Sequence, residues 1–592
     1  MTLSQQPTPT TSLFGHRRIV TLAVVVVALA AGLGIFLLSR KKDDPGPSPP
    51  PILADAAIPD GPPFFRDVTA DSGVHFSYRN GEEADRYTIL ESVGGGVALI
   101  DYDGDGLLDL FFTGGGYFDG GKVKGHPCKL YKNLGAFQFR DVTAETGLDK
   151  IDFYSHGAAV ADYDRDGRPD LLVTGFGHVA LFRNVDGKRF VDETAKAGVR
   201  DASWATSAGF ADLFGSGYPD LYICHYCDWS PANDPVCKGK GKVERDVCPP
   251  QRFKPLVHAL FRNNGDGTFR DITTEVPLRG DGMGLGVVLA DFSGEGRPGI
   301  YVANDASNNH LYLNRKGKLE EVGRRAGVDV DEHGMYNGSM GVDAADYDGS
   351  GRASLFVANF QGEIHALYQN TGKERFLYQS HPAGIASLSR HFVGFGAAFV
   401  DFDNDGWEDL VVANGHVLRH PLGSTLKQMP LLLKNVQRGE RRVFQDWSKR
   451  GGVFFDTAAI GRGLAVGDLD NDGWPDLVIS NTNSPAVILR NDAAKDKANR
   501  WLGLRLIGKG DRDSAGSTLI LECGGRKLTR FAKGGGSYLS SSDRRILFGL
   551  GAAEPGRLTV KWAWGVEQHF DGLEAGSYWE LREGEEKARR MK

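Results

Sequence analysis

Asp101–Leu110 reads DYDGDGLLDL. The same pattern, D-x-D-x-D-G-x-x-D-L, returns complete as DYDRDGRPDL from Asp162, DFDNDGWEDL from Asp401 and DLDNDGWPDL from Asp468. Three weaker copies lie between them: DLFGSGYPDL from Asp212, DFSGEGRPGI from Asp291 and DYDGSGRASL from Asp346. The seven copies begin 50 to 79 residues apart. Each follows a Gly- and Ala-rich apolar stretch and precedes an apolar strand such as DLLVTG. An L-Y-x-N-like unit comes next, as at Leu130–Asn133 or Leu432–Asn435, and then an F-x-D-x-T-like unit, as at Phe139–Thr143. One repeat therefore holds three or four short strands. A lone sheet of that size cannot bury both faces, whereas units packed radially can. The pattern predicts an all-β fold, a seven-bladed β-propeller over residues 64–498. The unmatched Phe65–Thr69 strand at the start would complete the last blade. A linear β-solenoid is the alternative, although its repeats are usually shorter and more regular.

The chemistry of the loop follows from its spacing. Calcium takes six to eight oxygen ligands. Positions 1, 3 and 5 can point inward together, position 7 can offer a carbonyl, and position 9 can return with a carboxylate. Glycine at position 6 permits the sharp turn. The candidate ligands are Asp101, Asp103, Asp105, Leu107 and Asp109; Asp162, Asp164, Asp166, Arg168 and Asp170; Asp401, Asp403, Asp405, Trp407 and Asp409; and Asp468, Asp470, Asp472, Trp474 and Asp476. An EF-hand would place Glu at position 12 between helices. Here that position is Phe112, Val173, Val412 or Ile479, inside the next strand. An ordinary Asp-Gly turn does not need four carboxylates in nine positions, and such a cluster repels itself without a cation. The reading is four calcium sites. Asp346, Asp348 and Ser350 form a weaker fifth candidate, since position 9 is Ser354. The loops at Asp212 and Asp291 have lost too many ligands and read as metal-free hairpins.

The 592 residues include 79 glycines, roughly twice the usual share, which fits many short strands and tight turns. A net charge of −7 gives no basic footprint for nucleic acid. Ile19–Leu38 is twenty residues without a charge, long enough as one N-terminal transmembrane helix to span a bilayer core. A cleaved signal peptide is the alternative. Both flanks are basic, so flanking charge does not fix orientation. The division read from the sequence is a cytoplasmic tail (1–18), an anchor (19–38), a Pro-rich linker (39–63), the repeats (64–498), a small C-terminal β domain (499–584) and a charged tail (585–592). Extracellular calcium modules bind at about 10⁻⁴–10⁻³ M, so such loops fill outside the cytoplasm. The chain reads as a single-pass membrane protein with its bulk at the cell surface or in the periplasm.

Four cysteines, Cys224, Cys227, Cys237 and Cys248, crowd the longest repeat. Disulfides are one reading, with Cys237–Cys248 the best pair and Cys224–Cys227 a tight second. A zinc site with His225 and His258 and a set of free thiols are the others. Asn304, Asn359, Asn414 and Asn481 end the D-L-x-V-x-N strands. They read as turn formers, or as a polar ring at one mouth that could hold a glycan. No nucleophile elbow, P-loop or dinucleotide fingerprint stands out.

Beyond Asn491 the repeat stops. Arg505–Gly508 (RLIG), Asp513–Gly516 (DSAG), Gly534–Asp543 (GGGSYLSSSD) and Phe548–Gly551 (FGLG) follow, in strand-like segments with Gly-rich turns. These motifs resemble the ASPIC/UnbV domain, and the repeats resemble FG-GAP/VCBS repeats of integrin-type propellers. With the GVHFSYRNGEE and ESVGGGVALIDYDGDG stretches, the whole from Phe64 to Glu583 resembles the cartilage acidic protein family. Trp562-Ala563-Trp564-Gly565 departs from that family's W-P-x-G turn. The resemblance implies calcium binding and an adhesion or scaffolding role toward a protein or glycan partner, not a reaction. A carbohydrate-binding accessory protein and a polysaccharide-acting enzyme are the competing readings.

Overall fold

The computed structural model describes residues 58 and 60–591, apart from 240 and 494–498. The Ile19–Leu38 run lies outside the described residues. Among the described residues no helix is long and apolar enough to cross a membrane.

Seven antiparallel sheets of four repeat strands each account for the repeats, and the fourth of them gains a fifth strand, Gly534–Gly535, from the C-terminal region. Sheet one is Val97–Ile100, Asp109–Phe112, Lys129–Asn133 and Phe139–Asp141, in that order. Each acidic loop joins the first strand of a sheet to the second, and the L-Y-x-N and F-x-D-x-T units are the third and fourth. The first strands of sheets two to seven are Ser155–Ala161, Ala205–Ala211, Gly284–Ala290, Val342–Ala345, Gly394–Val400 and Gly461–Gly467. Each touches the next, and Gly461–Gly467 returns to Val97–Ile100, so the sheets form a closed ring. The fourth strand of sheet seven comes from the start of the chain: Phe65 pairs with Asn491 and Asp67 with Leu489, antiparallel. Apolar side chains fill the space between neighbouring sheets. Ala98, Ile100, Phe111 and Leu130 of sheet one meet Ala158, Val160, Leu171 and Val173 of sheet two.

Two repeated polar devices hold the ring. The Asn of each L-Y-x-N unit bridges two sheets. Asn184 Nδ2 donates to the carbonyl of Tyr102 in the preceding sheet at 2.7 Å and to that of Pro169 in its own at 3.1 Å. Asn263, Asn314, Asn370, Asn435 and Asn491 repeat this one sheet at a time, and Asn133 closes the circle on Leu469 at 2.8 Å. The Thr of each F-x-D-x-T unit ties the fourth strand to the third. Thr143 Oγ1 accepts from Leu130 N at 3.0 Å and donates to Asp141 at 2.6 Å. Since these groups are buried, each satisfies backbone polarity that water cannot reach.

The C-terminal region holds two more four-stranded sheets. Arg500–Ile507 runs parallel to Tyr578–Arg582 and antiparallel to Ile546–Gly551. Thr518–Cys523 lies between Arg526–Phe531 and Pro555–Lys561. Leu502, Leu504, Leu519, Phe548, Leu558 and Leu581 form their shared core. The charged end is not a free tail: Arg589–Arg590 adds an edge strand to Tyr578–Arg582.

Between Arg526–Phe531 and Ile546–Gly551 the chain leaves this domain and enters the axis of the ring. Gly534–Gly535 pairs with Gly284–Ala290. Ser537 exchanges two backbone hydrogen bonds with Val342, Leu539 O accepts from Ala158 N, Ser541 exchanges two with Val97 and Leu99, and Asp543 N reaches Val466 O. Leu539 N is held by Ser207 Oγ at 3.0 Å, and the Tyr538 ring meets Phe395 edge-on at 4.8 Å. The segment thus touches the first strand of all seven sheets. Close approach of this segment favours glycine in and beside those strands: a Cβ on Gly157 would lie 3.2 Å from Leu539 Cβ, and one on Gly96, just before Val97–Ile100, 2.3 Å from Leu539 O.

Candidate metal centre

Four groups of carboxylates converge: Asp101, Asp103 and Asp109; Asp162, Asp164 and Asp170; Asp401, Asp403 and Asp409; and Asp468, Asp470 and Asp476. Within each group one oxygen per residue lies within 4.8 Å of the others. The local fold explains the convergence. Gly106, Gly167, Gly406 and Gly473 at position 6 have φ of 90°, 87°, 91° and 83°, which turns the chain back sharply. The position-1 carboxylate accepts backbone N–H groups inside the turn, as Asp101 does from Gly106 at 3.1 Å and Asp162 from Asp166 and Gly167 at 3.0 and 2.9 Å. Position 9 opens the next strand. Asp109 Oδ1 accepts from Asn133 N at 2.8 Å and Oδ2 from Tyr102 N at 3.1 Å, so this carboxylate fastens the loop to the inter-sheet asparagine.

Position 5 differs from expectation. Asp105, Asp166, Asp405 and Asp472 are outside the converging groups. Their Oδ1 atoms accept the position-7 N–H of Leu107, Arg168, Trp407 and Trp474 at 2.9–3.1 Å. Their Oδ2 atoms face a basic side chain from the third strand: Lys132, Arg183, Lys434 or Arg490. That residue is the x of L-Y-x-N. Every complete loop has Lys or Arg there; of the incomplete loops, two have Leu313 and Gln369 and one keeps a basic residue, Arg262, so the position is a partial signal in the sequence.

The donor set fits a hard dication. Asp101 Oδ1, Asp103 Oδ1, Asp164 Oδ1 and Asp470 Oδ1 are buried and without a hydrogen-bond partner, although a buried carboxylate oxygen is costly to leave unpaired. All the converging atoms are oxygen, which suits calcium. In the weaker loop, Asp346 Oδ2 accepts Gly351 N at 2.8 Å, Gln369 occupies Asp348 Oδ2, and Ser354 Oγ accepts Asn370 N at 3.0 Å.

Electrostatics point the same way. Burial, reinforced by Asp101 and Asp105, pushes the Asp109 carboxyl up to about 8. Burial and neighbouring aspartates raise Asp162 to about 6, and burial with Asp472 nearby raises Asp468 to about 7. Without metal the folded chain therefore holds protons that the unfolded chain releases near pH 4. The stability contributed by these groups is full below about pH 4 and is lost as pH rises through 6–8. Urea unfolding of metal-stripped protein should give a lower midpoint at pH 8 than at pH 5. Saturating calcium, which binds the ionised form, should flatten that slope. Equal stripped-protein midpoints at the two pH values would contradict the reading.

Cys237 and Cys248 are joined in a disulfide. Cys224 and Cys227 are not; both are free and buried. Cys224 sits in strand Asp220–His225 and packs with Leu213, Tyr222 and Val287, whereas Cys227, past the strand end, packs with Trp204 and Trp229. The two thiols therefore enter different cores. No group of Cys and His side chains converges among the described residues. Asn304, Asn359, Asn414 and Asn481 behave as turn formers, each Nδ2 donating to a nearby loop carbonyl at 2.7–2.9 Å.

Residues 508–588 match the ASPIC and UnbV family, residues 101–173, 162–223 and 346–412 match the FG-GAP-like repeat, and residues 460–494 match the FG-GAP repeat. The chain is similar to cartilage acidic protein 1 of Xenopus tropicalis, 24% identical over 494 residues, which is 79% of this chain and 70% of that protein. Its likeness to the Homo sapiens protein of that name is 24% over 489 residues, 69% of this chain and 68% of that one. Among solved structures, an Agrocybe aegerita lectin that recognises non-reducing terminal N-acetylglucosamine has a TM-score of 0.37 at 17% identity, covering 60% of this chain and 80% of that chain. The chain carries FG-GAP repeats followed by an ASPIC and UnbV segment, and over most of its length it is similar to cartilage acidic protein 1.

Proposed function

We propose that this chain is a seven-bladed, calcium-loaded propeller that works outside the cytoplasm as an adhesion-type binding scaffold, tethered to the membrane through Ile19–Leu38. The observation that carries the reading is the set of converging carboxylates with buried, partnerless oxygens. Calcium there ties the first hairpin of a blade to its neighbour, because the position-9 aspartate also holds the inter-sheet asparagine. When bound, the ion supplies charge neutralisation; the chain supplies the turn, the carboxylates and the basic residue behind position 5. The Cys237–Cys248 bridge and the millimolar affinity typical of such loops favour an exported location. The similarity to cartilage acidic protein 1 supports an extracellular role.

The axis of the ring argues against the polysaccharide-acting reading. A propeller that turns over substrate at its axial mouth needs an open, polar channel. Here Lys533–Arg545 runs through it, with Tyr538 and Leu539 buried in a cluster that also contains Trp204, Met283 and Phe395, and what remains is a cavity of about 170 Å³ lined in part by Asp343, Asp401, Glu408, Arg530 and Lys533 rather than an open channel. Affinity capture with the tagged chain, from a membrane and extracellular fraction, should retain a partner in calcium and release it in EDTA. Retention indifferent to EDTA would count against calcium-dependent scaffolding.

A further inference from the structure

The four complete loops are alike in sequence but not in how their carboxylates are satisfied. In sheets one, two and seven the basic residue stays at the rim. Lys132 reaches Asp103 Oδ2 and Asp105 Oδ2, Arg183 reaches Asp164 Oδ2 and Asp166 Oδ2, and Arg490 reaches Asp470 Oδ2 and Asp472 Oδ2. None of these pairs includes position 9. Each of the three loops keeps at least one buried oxygen with no partner, namely Asp101 Oδ1 with Asp103 Oδ1, Asp164 Oδ1, and Asp470 Oδ1.

Sheet six is different. The side chain of Lys434 is only 6% exposed, against 21%, 34% and 33% for Lys132, Arg183 and Arg490. Its Nζ lies 2.7 Å from Asp403 Oδ1, 2.8 Å from Asp405 Oδ2 and 3.3 Å from Asp409 Oδ2. An ammonium has three N–H donors and no acceptor, so one lysine meets one oxygen on each of three carboxylates. Asp401, the remaining member, accepts Asp405 N at 3.0 Å, Gly406 N at 2.8 Å and the Arg530 guanidinium at 3.4 Å. No carboxylate oxygen of this loop is among the buried partnerless atoms. Arg530 comes from the C-terminal domain and also pairs with Glu408 at 2.7 Å, while Arg526 donates to Asp405 O at 3.0 Å.

We propose that the loop at Asp401 takes no calcium: the ammonium of Lys434 occupies the place the ion would have, with Arg530 neutralising Asp401. The inference rests on the calcium reading for the other three loops. It divides the complete sites into three that need an external cation and one that carries its own. The physical reason is competition. A dication entering between Asp403 and Asp409 would have to displace a buried, three-fold hydrogen-bonded ammonium that also lies 5.3 Å from the ring centre of Phe402, and the expelled lysine would forfeit all of these contacts.

Counting ions tests this. Full-length chain is stripped of metal, dialysed to saturation against calcium, and its bound calcium measured by elemental analysis. Wild-type protein should hold three ions per chain, one for each loop with partnerless oxygens. Lys434→Met should hold four, one for each converging group. Four ions on wild type overturn the inference and leave calcium binding intact, whereas none overturns both. An unchanged count in folded Lys434→Met also overturns it. Should Lys434→Met fail to fold, Asp403→Asn in the otherwise wild-type chain decides: the count should stay at three, and a fall to two contradicts the assignment. Asp103→Asn, in a loop assigned to calcium, should lower it and serves as the control.

Discussion

Tyr538→Ala is expected to destabilise the protein by about 3–5 kcal/mol, the usual range for deleting a fully buried aromatic. Tyr538 is wholly buried in the axial segment, and its ring and hydroxyl meet residues far from it in sequence. Its ring packs edge-on against Phe395 of sheet six, and its hydroxyl lies 3.4 Å from Gly94 N. Ser537 and Leu539 on either side adopt left-handed backbone, with φ of 59° and 54°. Non-glycine residues in that region cost on the order of 1 kcal/mol or more each, and the backbone bonds to the first strands hold them there. Losing the ring removes the anchor that offsets this strain, so the effect should reach the ring and the C-terminal domain together. Native stability is usually about 5–15 kcal/mol, which makes the loss a large fraction of the whole. Urea unfolding reads it directly. Tyr538→Phe, which keeps the ring, should cost about 1 kcal/mol or less. A Tyr538→Ala midpoint equal to wild type would mean that the axial segment is not part of the cooperative unit.

Removing calcium is the second large perturbation. With dissociation constants near 10⁻⁴ M, each site at millimolar calcium contributes roughly 1.5 kcal/mol. Three such sites sum to about 4–5 kcal/mol. Chelation leaves additional cost, because buried carboxylates such as Asp109 and Asp476 must then either repel one another or take up protons. The effect should also be structural, since the position-9 aspartate and the inter-sheet asparagine share one hydrogen bond, 2.8 Å in sheet one and 2.7 Å in sheet seven. Urea unfolding in EDTA at neutral pH should therefore show a midpoint well below that in calcium.

Much of this architecture could be read from the repeat itself. The acidic loop, the L-Y-x-N unit and the F-x-D-x-T unit each map onto one fixed element of a sheet, and the unmatched Phe65 strand pairs with Asn491 where a closed circle needs it. These signals are local or periodic. What escaped the sequence is long-range and non-periodic. GGGSYLSSSD carries the composition of a flexible loop, yet its partners are the first strands of sheets lying earlier in the chain, and their small residues make room for it. The C-x-x-C spacing permits a bridge, but the strand ending at His225 sends Cys224 between sheets while Cys227 turns into the cluster around Tyr538. Position 5 looked like a ligand by spacing alone. It faces a basic residue that arrives from the third strand, 17 to 31 residues from its carboxylate partners.

Thermal unfolding of the metal-stripped chain, with calcium or equimolar magnesium added back, tests the central claim most directly. Calcium at millimolar concentration should raise the midpoint by several degrees, in keeping with about 4–5 kcal/mol of site energy, and magnesium should recover little of it, since it gives up its water reluctantly and demands tighter octahedral geometry. A midpoint that calcium leaves unchanged would contradict the account of these loops as calcium sites that hold the ring together.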